Sequence, residues 1–170
     1  MSGLVEKEIE GGFAAQRTAA DPSASVWVSA NAGAGKTRVL VNRVIRLLLG
    51  GTRPERILCL TFTNAAAAEM SERLHHELGR WVALGDEALE KEIGTLIGKK
   101  AGPEMLLPAR RLFAESLDAP GGLKIQTIHA FCQSLLGRFP LEAGISPHFT
   151  AMDERSAAER LLAAQERVLG

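Results

Sequence analysis

Lys36 and Thr37, set directly after a glycine-spaced run, have the most chemistry to offer in this chain. The run Ser29-Ala30-Asn31-Ala32-Gly33-Ala34-Gly35-Lys36-Thr37 follows the apolar triplet Val26-Trp27-Val28. It reads as a strand, a glycine loop and a helix start, with a lysine and a hydroxyl at the junction. A triphosphate site requires that order. Gly33 and Gly35 can adopt positive φ and turn N–H groups inward, which a residue with a Cβ does only at a cost. Ala32 and Ala34 fall in the same cradle. Lys36 offers a point charge to the β- and γ-phosphates and Thr37 a hydroxyl to Mg²⁺. These two are the candidate catalytic residues, and Thr37 is the candidate metal contact. At about 4 Å and an effective dielectric of about 20, one lysine–phosphate contact is worth ~4 kcal/mol before desolvation. Ala30 stands where the usual G-x-x-x-x-G-K-[ST] pattern begins, so the strict pattern is missed by a methyl group. The bland alternative is a Gly/Ala turn that binds nothing.

The elements that must position these residues follow from periodicity. The apolar positions Leu40, Val41, Val44, Ile45 and Leu48 lie on one stripe of a helix from Thr37 to Leu49, stopped by Gly50-Gly51. Arg43 and Arg46 lie off that stripe. Between Lys36 and Arg56 six cations face Glu55 alone, which fits either a solvated helix face or a patch that tracks phosphates. Ile57 to Phe62 reads as a strand buried on both faces. A helix from Ala65 to about Leu84 follows, capped by Thr63 or Asn64. Residues 85–121, broken by Gly94, Gly98, Gly102 and Pro103, read as an insertion of two or three short helices. Leu123 to Thr127 is a further strand. Ile128 to Phe139 is a helix ended by Pro140, Ser146-Pro147 marks a loop, and the segment from Asp153 onward is helical. Residues 1–21, acidic and weakly periodic, are expected to be a mobile arm. Strands alternating with helices imply an α/β fold with a mostly parallel sheet and flanking helices.

Composition narrows the class. The 170 residues suffice for one domain or for part of a larger one, and 20 basic residues balance 20 acidic ones, so no global field argues for nucleic acid. Cys59 and Cys132 have no partner at metal-ligand spacing and read as buried reduced thiols. No stretch has the length of a membrane span and the first twenty residues are no signal peptide, so a soluble cytoplasmic chain is expected.

Leu60-Thr61-Phe62-Thr63-Asn64-Ala65-Ala66-Ala67-Ala68-Glu69-Met70 resembles motif Ia of the UvrD/Rep-like superfamily 1 DNA helicases. Gln126-Thr127-Ile128-His129-Ala130-Phe131-Cys132 resembles their motif Ib. The resemblance runs over roughly 13–165, also through Arg138-Phe139-Pro140-Leu141-Glu142-Ala143-Gly144-Ile145, and is thinnest across 85–121. Within that family the runs look most like AddA-type subunits of helicase–nucleases that process double-strand breaks. The resemblance implies a RecA-like P-loop NTPase domain, truncated, over 22–150, with a helical subdomain starting at 151–170. It implies ATP and Mg²⁺ as cofactors, DNA ends as substrate, an AddB-like nuclease partner and no membrane. Gln16 resembles the glutamine that these helicases place upstream to read adenine, and an amide can both donate and accept there. Arg38 is similar to a family position near the nucleotide, with a plain surface residue as the alternative.

Thr61, Phe62, Thr63, Asn64, Thr127 and His129 would face single-stranded DNA. Helix-start hydroxyl, amide and N–H groups suit phosphates, and an aromatic ring suits an unpaired base. Otherwise Phe62 would be a core residue, Asn64 a mere cap and His129 structural. Ala65 lacks the lysine common at that motif Ia position. Asp153-Glu154 follows a poor strand and is not read as the Mg²⁺-holding acid pair. His75-His76 and Glu87, Glu90 and Glu92 read as solvated helix surface. Competing readings are a module that binds ATP and DNA without catalysis and an unrelated P-loop kinase.

Overall fold

The computed structural model of the chain describes residues 14–29, 31, 33, 35–152 and 154–169. They form helix α1 over 14–19, then α2 (Lys36–Leu49), β1 (Leu58–Thr61), α3 (Asn64–Ala83), α4 (Asp86–Ile97), α5 (Leu106–Asp118), β2 (Lys124–Thr127), α6 (Ile128–Arg138) and α7 (Glu154–Leu169). Two compact units divide the chain, Met1–Gln126 and Thr127–Gly170.

The core of the first unit lies among helices. The stripe read on α2 is buried at Val41, Val44, Ile45 and Leu48, where it meets Met70, Leu74, Leu78 and Trp81 of α3, but Leu40 is exposed and Val39 is buried in its stead. The segment 85–121 does form short helices, and they complete the same core. Leu89 and Ile93 of α4 and Ala109 of α5 are fully buried, with Leu112 nearly so. Asp86 and Glu87 suit the positive end of α4. Arg110 ties α5 to the α3–α4 turn through the Leu84 carbonyl at 2.8 Å and the Asp86 carboxylate at 2.7 Å.

Glu92 departs from the expectation of a solvated surface residue. It accepts from both Nη atoms of Arg80 and from Trp81 Nε1 at 3.0 Å, joining α3 to α4. The hydrogen bonds from Arg80 to Glu92 and Glu77 raise the guanidinium pKa further above its ordinary value.

The sheet is small, with β1 pairing β2 in parallel. Three expectations about it and its approach are corrected. Val26-Trp27-Val28 is not a strand, and Trp27 is 94% exposed. Strand preference reflects packing against cross-strand neighbours, and among the described residues β1 and β2 pair only with each other. β1 is not buried on both faces, since Leu58 and Leu60 stay exposed. Of the expected arm, 1–13 lie outside the described residues, while 14–19 are helical and Ala20 is buried.

In the second unit, α6 ends at Arg138 before Pro140, and a turn follows in which Ala143 and Ile145 donate to the carbonyls of Phe139 and Pro140. Cys132 on α6 is exposed, contrary to expectation, because α6 buries none of its residues. Cys59 is partly buried, and that burial pushes its thiol pKa up.

Leu78 is fully buried where α3 faces the other core helices. Leu78→Ala is expected to lower unfolding stability by about 2–5 kcal/mol, read as a shift of the urea midpoint.

Candidate functional site

The loop glycines adopt the conformations that their sequence position calls for. Gly33 has φ +79° and Gly35 φ +83°, both left-handed. Gly35 is the N-cap of α2, whose first turn carries no acidic residue. The opening N–H groups of a helix have no partners within it, and its positive end favours an anion. Lys36 Nζ donates to the Asn31 carbonyl at 2.8 Å. Thr37 is half-buried and Arg38 exposed. Ala30, Ala32 and Ala34 lie outside the described residues.

Gln16 is brought to this loop from nineteen residues before Gly35. Its Nε2 lies 3.4 Å from where a Cβ on Gly35 would stand. Gln16 and Arg38 both line one large groove, walled further along by Asn42, Arg73 and Glu92. Arg43 and Arg46, expected to be a solvated helix face or part of a phosphate-tracking patch, instead hold Gln16's segment by its carbonyls. The available signal was two arginines three apart, off the buried stripe of the helix that follows the loop.

β1 passes into α3 through Phe62 and Thr63. Thr61 Oγ1 donates to the Thr63 carbonyl at 3.0 Å, and Thr63 Oγ1 accepts from the Ala66 N–H at 3.2 Å. Thr63 is therefore the cap, and Asn64 is left as the exposed first residue of α3. Phe62 is 89% exposed, so it is no core residue. The second unit repeats the device. Thr127, itself buried, caps α6 by accepting from the Ala130 N–H at 3.1 Å, and His129 is exposed on that helix. Asp153 lies outside the described residues. No group of three or more His, Cys, Asp or Glu residues that could hold a metal occurs among the described residues. None of the described helices is long and apolar enough to cross a membrane.

The UvrD/REP helicase N-terminal domain matches residues 13–168. The chain belongs to that family. It is 40% identical over 137 residues to a Desulforudis audaxviator protein named as an ATP-dependent helicase/nuclease subunit, covering 79% of this chain and 9% of that protein. The Pediococcus pentosaceus protein of the same name is 33% identical over 129 residues, 76% of this chain and 9% of that one. The Lactobacillus johnsonii protein, also so named, is 32% identical over 149 residues, 88% and 10% respectively. The chain thus spans about a tenth of the length of these relatives. Membership of this family sets aside the unrelated kinase.

Asp21 closes the turn after α1. Its carboxylate accepts from the Ser23 N–H at 2.9 Å and from the Ser23 hydroxyl at 2.8 Å, and Arg46 lies at 3.1 Å. The Ser23 hydrogen bonds, and then Arg46, hold its carboxyl below the ordinary value of 3.8. A carboxyl depressed in the folded state stabilises that state above its unfolded pKa and loses the effect as pH falls through the folded one. An NMR titration of the Asp21 carboxyl carbon should give a midpoint below 3.8, and Asp21→Asn should remove the matching acid-side loosening of the turn.

Proposed function

We propose that this chain is the ATP-binding opening part of an AddA-like, ATP-dependent DNA helicase acting in double-strand-break repair and recombination. In this reading residues 22–150 are the first part of a truncated RecA-like P-loop domain, with 85–121 inserted, and 151–170 begin a helical subdomain. The observation that carries it is the left-handed Gly35 opening α2 ahead of Lys36 and Thr37, with no carboxylate in that turn to repel a phosphate. Support comes from the family match and from the name the relatives share.

Lys36 neutralises charge on the β- and γ-phosphates, Thr37 offers its hydroxyl to Mg²⁺, and the amides around Gly33 and Gly35 orient the phosphates. Gln16 hydrogen-bonds the adenine edge, and Arg38 stands beside the nucleotide. Hydrolysis moves the γ-phosphoryl group to water, and these residues contribute to it by binding and orientation. Phe62 stacks on an unpaired base, with Thr61, Thr63 and Asn64 at the adjoining backbone. Thr127 and His129 supply a separate contact from the second unit. In the intact protein ATP turnover drives stepping along single-stranded DNA in the cytoplasm, beside an AddB-like nuclease partner.

In the intact protein Lys36→Ala should abolish DNA-stimulated ATP turnover, followed by phosphate release, while single-strand binding survives. Intact turnover together with lost DNA binding would refute the assignment. Phe62→Ala should weaken binding of a fluorescent oligonucleotide by about 1–3 kcal/mol, with nucleotide binding unchanged.

A further inference from the structure

Two arginines from the helix that follows the loop govern where Gln16 stands. Helix α1 ends at residue 19, so the carbonyls of its last turn lack helical partners. Those of Gln16 and Thr18 accept from the N–H groups of Ala20 and Asp21, at 2.9 and 3.1 Å. The other two are taken by side chains. Arg46 Nη1 donates to the Arg17 carbonyl at 2.9 Å, and Arg43 Nη1 donates to the Ala19 carbonyl at 3.3 Å. Arg43 reaches further, to the Asp21 carbonyl through Nη1 and to the Ala24 carbonyl through Nη2 at 2.7 Å. One guanidinium thus gathers three carbonyls spread over six residues of chain. A planar fork of five donors suits that task, and a single ammonium does not.

We propose that Arg43, supported by Arg46, is a positioning residue that sets the base specificity of the nucleotide site by fixing Gln16 relative to Lys36 and Thr37. The inference rests on the nucleotide reading above. Arg43 follows Lys36 by seven residues, two turns of the same helix, so clamp and phosphate contact belong to one rigid element. Beyond the Asp21–Ser23 turn and the Arg46–Asp21 ion pair, the clamped segment is weakly structured. Residues 20–29 form no helix or strand, and most are exposed. The Gln16 amide stands beside the loop, its Nε2 close to Gly35, with its helix tied down by the clamp. Loosening the clamp therefore releases the base contact and leaves the phosphate contacts in place.

The test is steady-state turnover of ATP and GTP by the intact protein with saturating single-stranded DNA, for wild type, Gln16→Ala, Arg43→Lys and the double variant. Arg43→Lys should raise KM for ATP by about five- to tenfold, the scale of one lost hydrogen bond. KM for GTP and both kcat values should stay within about twofold. The double variant should match Gln16→Ala alone, because both changes remove the same contact. Arg46→Gln, which frees the neighbouring Arg17 carbonyl, should shift KM in the same direction, and it carries the test if Arg43→Lys melts early by circular dichroism. An unchanged ATP KM, an equal fall of kcat for both nucleotides, or an additive loss in the double variant overturns the proposal. Failure of the underlying reading is seen separately, as turnover that survives Lys36→Ala.

Discussion

Helix α2 has to satisfy two sets of neighbours at once. One stripe, Val41, Val44, Ile45 and Leu48, is removed from water among α3, α4 and α5. Burial of each such side chain stabilises by about 1.5–3 kcal/mol, an upper figure for a chain that is partly compact when unfolded. That packing sets the rotation of the helix about its axis and its position along it. Its glycine-opened end and its arginine face then have no freedom of their own. Lys36 and Thr37 are carried at one end, and the carbonyls of 17–24 are gathered on the side.

The helices of 85–121 belong to this arrangement. Their sequence, broken by glycines and a proline, reads as an insertion of short helices, and Leu89, Ile93 and Ala109 of these helices reach full burial against α2 and α3. The Arg80–Glu92–Trp81 contacts and the Arg110 contacts join their ends to α3. A helical core of this kind asks little of a sheet. Two short strands lie beside it, with Leu58 and Leu60 facing water.

What could be read from the chain divides along a physical line. Gly33, Gly35, the stripe of α2 apart from Leu40 and the strand-to-helix passages at 58–64 and 124–128 are local matters of backbone freedom, periodicity and capping, and they stand where the residues imply. Thr63 rather than Asn64 is the cap, because its hydroxyl meets the Ala66 N–H. The exposure of Phe62 removes its reading as a core residue. Non-local outcomes were not legible. Val26 to Val28 has strand-forming residues but no ladder to join. Cys132 has a helical pattern but no burial. Arg43 and Arg46 look like solvated charge until the carbonyls of a segment 24 and 29 residues away are placed beside them. Glu92 likewise gains its role from the neighbouring helix.

The two tryptophans of this chain inhabit opposite solvents. Trp27, shortly before the glycine loop, stands almost wholly in water, whereas Trp81 is 3% exposed and gives its indole proton to Glu92. Their emission is therefore separable by colour and by quencher. The red, quenchable component reports on the chain leading into the loop, and the blue, shielded one on the integrity of the helical core, without any label being added.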